Sequence, residues 1–184
     1  MPALESVMKP LGTPMPAFDL PDSNGGRRVS SADLAGRPVL VMFLCNHCPY
    51  VKHVQAELAR LGRELRGGPI ALIAISSNDP EAYPDDAPER MTDEARAAGY
   101  TFPYCFDESQ QVARDFGAAC TPDFFLFDAR HRLAYRGRLD GSRPRSGEPV
   151  TGADLRAAID AVLAGRAPDQ VQHPSIGCSI KWKA

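Results

Sequence analysis

The chain has 184 residues, 43% of them hydrophobic and 24% charged, with a formal net charge of −2. That length and balance predict one soluble α/β domain that buries a core without staples. The near-neutral charge offers no footprint for a nucleic acid, and no apolar run reaches the roughly eighteen residues of a membrane span.

Residues 1–20 are broken by four prolines and hold no apolar stretch of signal-peptide length, so a cytoplasmic protein is expected. Asn24-Gly25-Gly26 is a turn signal that predicts a small hairpin within Phe18–Val29. Ser31–Leu34 is read as a single helical turn. Pro38–Leu44 is a continuous apolar run, as in a central strand buried on both faces. In the next segment Val51, Val54, Leu58, Leu61 and Leu65 recur at three- and four-residue steps, the stripe of an amphipathic helix. Gly67-Gly68 ends it.

Ile70–Ile75 is a second buried strand. Asn78–Gly99 begins as a proline-broken segment and continues as a polar helix over Pro88–Ala98. A short extended piece over Phe102–Phe106 and a short helix over Ser109–Phe116 come next. Asp123–Asp128 and Arg132–Leu139 read as adjacent strands, and Leu155–Leu163 as the last helix, with Thr151 as its cap. Periodicity is lost after Gly165. The expected division is therefore a domain over 1–165 and a tail over 166–184 packed on it. Alternating strands and helices followed by a strand pair predict a mixed sheet, parallel in part, with an antiparallel edge.

The five cysteines are an odd number, and in a reducing compartment they are not expected to form a structural disulfide framework. Cys45-Asn46-His47-Cys48-Pro49 falls where a strand becomes a helix. A helix N-terminus offers unpaired N–H groups and the positive end of the dipole, which favour a thiolate, the nucleophilic form. Two intervening residues let the thiols close a disulfide across the first turn, so one can resolve a mixed disulfide formed by the other. His47 adds a titratable group whose protonated form favours a thiolate further. CxxC is also half of many zinc sites, but no second CxxC or histidine pair follows at finger or ribbon spacing. No metal or organic cofactor is expected.

Strand, CxxC and helix resemble the thioredoxin superfamily, and Thr121-Pro122 before the DFFLFD strand is similar to that superfamily's cis-proline landmark. The resemblance spans about Pro16–Leu163. It implies a thioredoxin-like fold, with a central mixed β-sheet flanked by helices, an N-terminal hairpin and a C-terminal tail. It implies a cis Thr121-Pro122 bond facing the CxxC, where Thr121 and Pro122 shape a groove for an extended substrate strand. The NHCPY stretch, the TPDFFLFD strand and the GCSIKW tail resemble more narrowly the bacterial peroxiredoxin-like redoxins of the alkyl hydroperoxide reductase and thiol-specific antioxidant type.

The expected function is thiol–disulfide oxidoreductase: Cys45 attacks a disulfide, Cys48 resolves, and electrons come from a thioredoxin or glutathione system. The alternative is a thiol peroxidase in which Cys48 is peroxidatic, with Arg138 as the candidate partner arginine. A third reading is a redox sensor or binding module without turnover. The strand before the CxxC lacks the buried carboxylate that serves thioredoxin as proton acceptor, and His47 or Asp123 is the candidate replacement. Cys120 and Cys178 are possible additional redox thiols, with Cys178 expected near Cys120 or Cys48. Cys105 reads as core and His53 as a solvated helix position. Lys181 and Trp182 are read equally as a cover for the site and as a packing anchor.

Overall fold

A computed structural model describes residues 3–183. Its main sheet has five strands: β4 (Val39–Phe43), β5 (Ala71–Ser76), β6 (Tyr104–Phe106), β8 (Asp123–Phe127) and β9 (Leu133–Gly137), in the order β6-β5-β4-β8-β9. Strands β4, β5 and β6 run parallel, while β8 pairs antiparallel with β4 and β9 with β8. This is the mixed thioredoxin-like sheet with an antiparallel edge. Every residue of β4 and β8 is buried, which is why both strands read as unbroken apolar runs.

Side chains alternate between two cores. On one face Leu40, Met42, Phe124 and Leu126 meet three helices: α1 (Pro49–Leu65), α2 (Pro88–Ala98) and α4 (Ala153–Leu163). On the other, Val41, Phe43, Phe125 and Phe127 meet α3 (Gln111–Phe116) and the hairpin of β2 (Asp19–Pro21) and β3 (Arg28–Ser30). Phe43, Phe116 and Phe125 stand edge to face there, with ring centroids 5.5–5.8 Å apart. Glu57, buried on α1, accepts from Arg156 of α4 at 2.6 Å, so its buried charge is paired.

Two expectations are corrected. Gly152, with φ +69°, holds the cap position of α4. The Asp140 carboxylate accepts from Thr151 N and Gly152 N at 2.7 and 2.6 Å, and Thr151 itself only lends its hydroxyl to Ala153 N. The tail is also less irregular than its lost periodicity predicts. Residues Ile176–Ser179 form a strand, β10, between β1 (Ala3–Glu5) and β7 (Cys120–Thr121), in a separate three-stranded sheet.

Candidate active site

After Phe43 the chain leaves the sheet through Leu44, whose N–H still donates to Ile75 O at 2.9 Å. Cys45, Asn46 and His47 bend across the sheet end, and Cys48 takes the cap position of α1 with Pro49 as its first residue. Proline suits that position because its missing N–H would have had no helical partner. The bend is clamped through Asn46. Its N–H donates to Asp86 Oδ1 and its side chain to Asp85 O, both at 2.8 Å, and its Oδ1 accepts from the Tyr104 hydroxyl at 2.9 Å.

Hydrogen-bond donors gather on Cys48. Cys45, the Cys178 thiol, Val51 N–H and Cys178 N–H all bear on its sulfur, and together they outweigh burial and bring its pKa down to about 5. Cys45 goes the other way. Its hydrogen bond to Cys48, burial and the Asp86 carboxylate hold its thiol well above the ordinary value. Its sulfur lies 3.2 Å from Thr121 Oγ1. The donor set thus favours a thiolate on Cys48 over one on Cys45, the two sulfurs titrating together.

His47 Nδ1 is 2.6 Å from Asp86 Oδ2, but off the line of a hydrogen bond, so both ring nitrogens lack a hydrogen-bonded partner. The contact is one of proximity to charge. The ring stacks on Tyr83 at 5.6 Å and borders an open depression of about 340 Å³ with Asp85, Asp93 and Glu94. The Cys45 sulfur, a His47 nitrogen and an Asp86 oxygen lie within 4.8 Å of one another, and could in principle share a metal ion. Both Asp86 oxygens already accept hydrogen bonds, from Asn46 N–H and from Asn78 Nδ2 at 2.7 Å.

Asp86 is the functional residue that sequence reasoning missed. It stands in a short 3-10 turn, Pro84–Asp86, fully buried. Only the prolines around it marked the segment. Asp123, the carboxylate considered in its place, pairs across the sheet with Phe43. Its contacts are the N–H groups of Phe124 and Ala119 and the Ser6 side chain, and burial pushes its pKa well up.

Thr121-Pro122 is cis and faces the pair: Thr121 O lies 3.2 Å from the Cys48 sulfur. The strand that pairs with Thr121 is the chain's own β10, with Cys178 opposite Thr121 and Ser179 opposite Cys120. Of the candidate extra thiols, Cys178 is thus brought to Cys48. Cys120 lies close enough to Cys48 and Cys178 that their charges, after burial and Asp123, help to push its thiol up, and its sulfur is 4.0 Å from Pro122 O. Cys105 is core on the opposite face of the sheet.

Three further expectations change. His53 is half-buried, its Nε2 2.7 Å from Ser142 Oγ. Arg138 pairs with Asp154 at 2.6 Å and supplies no cation to Cys48. Lys181 and Trp182 anchor the tail: Lys181 is buried with its N–H donating to Asn78 Oδ1, and Trp182 lies under the Arg114 guanidinium.

Fold and site together define a thioredoxin-like α/β domain that carries a CxxC pair at the start of a helix. Its family is also shown: a profile of the AhpC/TSA family matches residues 11–136, and the chain belongs to it. An uncharacterized conserved protein of Geobacillus kaustophilus is 52% identical, with TM-score 0.96 over 100% of this chain and 97% of that one. A hypothetical protein of Sinorhizobium meliloti is 48% identical over 98% of each chain, with TM-score 0.94. A thiol:disulfide interchange protein of Chlorobium tepidum, 17% identical, shares the fold with TM-score 0.64 over 84% of this chain and 99% of that one. The thiol:disulfide interchange protein DsbE of Pseudomonas aeruginosa is 42% identical over 55 residues, 29% of this chain and 31% of that protein. The match thus spans about a third of that curated relative.

Proposed function

We propose that the protein exchanges disulfides through Cys45 and Cys48. The observation that carries this is the pair itself: two sulfurs at the start of one helix, in contact with each other and with Thr121. The donor set favours first attack by Cys48 rather than by Cys45. The Cys48 thiolate attacks a substrate disulfide, one substrate sulfur leaves as thiolate, and a mixed disulfide forms. Cys45 then loses its proton toward Asp86 and His47 and attacks the Cys48 sulfur. The Cys45–Cys48 disulfide closes, and the second substrate thiol is released. Asp86 beside Cys45 takes the place of the acceptor that the preceding strand lacks.

A reductant of the thioredoxin or glutathione class, as in the cytoplasm, restores the dithiol. Substrates are protein or small-molecule disulfides, met along Thr121 and Pro122. The test is peptide mapping of the oxidised protein together with reductant-coupled reduction of insulin disulfides. A Cys45–Cys48 link that is lost in either single serine variant, and turnover abolished in Cys48→Ser, are expected. A protein that never forms the link ends this reading.

A second reading has its own support. Cys48 at the cap, with Pro49 after it and a pKa near 5, is arranged like a peroxidatic thiolate. Attack on a peroxide would give sulfenic acid and an alcohol or water, and condensation with Cys45 would give the same disulfide plus water. Stopped-flow oxidation by hydrogen peroxide separates the two enzymes. Turnover in neither assay leaves the redox sensor or binding module.

A further inference from the structure

We propose that Cys178 is a third redox thiol of this centre, exchanging with the Cys45–Cys48 pair through the shared Cys48 sulfur. The inference rests on the disulfide-exchange reading above and deepens it.

Placement carries the argument. Strand β10 lies antiparallel on β7 with Cys178 opposite Thr121, and Thr121 is the residue that touches both other sulfurs, Cys48 through its carbonyl and Cys45 through its hydroxyl. The Cys178 thiol and N–H both face the Cys48 sulfur. The close approach is built in. A Cβ on Gly177 would lie 1.9 Å from Thr121 O, so a residue with any side chain would push the strand off β7. The strand is held from its other side by β1, through Ala3↔Cys178, Leu4↔Gly177 and Glu5↔Ile176, and beyond its end by buried Lys181, whose carbonyl accepts from Asp79 N at 2.9 Å. A tail that served only to cover the core would need neither a glycine at the contact nor a thiol aimed at Cys48. Cys105 shows what a packing thiol looks like in this fold, fully buried in the core on the opposite face of the sheet.

The exchange balances within the chain. In the oxidised protein the Cys178 thiolate attacks Cys48 of the Cys45–Cys48 disulfide. The Cys48–Cys178 bond forms, the Cys45–Cys48 bond breaks, and Cys45 leaves as a thiolate that takes up the proton Cys178 lost. No electrons enter or leave. In a mixed disulfide on Cys48, the same attack expels the substrate thiolate. Cys178 is thus a second resolving thiol, and one that ties the tail to the helix.

The test uses the full-length Cys45→Ser protein, in which Cys48 has no resolving partner within the CxxC. Glutathione disulfide forms a mixed disulfide on Cys48 and releases one glutathione. Expected is loss of that adduct with release of the second glutathione, and a Cys48–Cys178 link in the tryptic map. In Cys45→Ser/Cys178→Ser and Cys45→Ser/Cys178→Ala the adduct should persist at least tenfold longer. Equal adduct lifetimes in all three proteins, with no Cys48–Cys178 peptide, overturn the proposal, even if both Cys178 variants melt earlier, since lost packing alone would not change adduct chemistry. The parent protein is oxidised in parallel. Failure there to form Cys45–Cys48 counts against the exchange reading itself, whereas its formation without any Cys48–Cys178 link in Cys45→Ser counts against Cys178 alone.

Discussion

The depressed Cys48 pKa makes the stability of the reduced protein depend on pH, and Cys48→Ser should remove that dependence. Cys48 shifts from an ordinary 9.0 to about 5 on folding. Between those values the unfolded chain carries one proton more at this position than the folded chain does. Stability therefore rises with pH across this window. The contribution is complete above about pH 9 and gone below about pH 5, at about 1.4 kcal/mol per pH unit for a single proton. From pH 6 to pH 8 the parent should gain about 2–3 kcal/mol over the variant. Cys45 acts with the opposite sign: its raised pKa makes the folded chain hold a proton that the unfolded chain loses, so stability falls as pH climbs past 9. Urea denaturation at pH 6, 7 and 8 in a phosphine reductant measures the slope. Other titrating groups are common to both proteins, so the difference in slopes isolates Cys48. The parent with its Cys45–Cys48 disulfide closed should follow the variant. Parallel slopes in reduced parent and Cys48→Ser, together with a 240 nm thiolate signal that titrates near pH 9, would refute the assignment of the thiolate to Cys48.

Gly177→Ala should force β10 off β7, because its Cβ would meet a backbone oxygen; alkylation of Cys48 by iodoacetamide should quicken at least tenfold while far-UV dichroism is retained. Asp86→Asn turns an acceptor into a donor facing Asn78 and removes the carboxylate beside Cys45. The melting curve should show a loss of about 1–3 kcal/mol, and rapid-quench mass spectrometry should show the Cys48 mixed disulfide accumulating. Thr121→Val deletes the hydroxyl that lowers the Cys45 pKa; resolution by Cys45 should slow while the Cys48 thiolate titration at 240 nm stays in place. Phe43→Ala opens a cavity among Phe116 and Phe125 on the sheet face away from the pair, and should cost about 3–5 kcal/mol in urea without moving that titration.

The five-stranded sheet was legible because its central strands are buried on both faces and its helices carry period-3.6 stripes. Val39–Phe43 and Asp123–Phe127 could hardly be anything else. The thiol pair was legible from two residues and their spacing. What the sequence hid depends on long-range pairing. Ile176–Ser179 is a four-residue strand with a glycine in it, and its identity as a strand comes from partners 57–59 and 171–175 positions away in sequence, which no local pattern announces. Asp86 lay concealed for the same reason. A carboxylate in a proline-rich segment looks solvated, and only the fold carries it under Asn46 and beside Cys45. The opposite pulls on the Cys45 and Cys48 thiols follow from these two hidden pieces, since Asp86 loads Cys45 with negative potential and β10 supplies donors to Cys48.

Burial adds a condition to every scheme considered. Cys45 is 2% and Cys48 0% exposed, so no substrate disulfide reaches either sulfur without movement. On one side stands α1, fixed to the core by Val51, Val54 and Leu58. On the other is β4, paired over five residues with each of two neighbours. The rest of the cover is the Asn46–Asp86 contact beside Cys45 and β10, whose ladder with β7 is two residue pairs long and which β1 and Lys181 also hold. Short, peripheral ladders open at lower free energy than central ones, so β10 is expected to lift before α1 or β4. A Cys48–Cys178 disulfide would fasten that cover shut, and a Cys45–Cys48 disulfide would leave it free to lift. On the Cys178 proposal, the choice of partner for Cys48 would decide whether the groove at Thr121 is open, and so couple the redox state of the centre to its access. The coupling is measurable as protection of the Thr121 and Cys178 amides from hydrogen exchange, higher in the Cys48–Cys178 form than in the Cys45–Cys48 form. Equal protection in the two forms would separate the chemistry of the third thiol from any control of access.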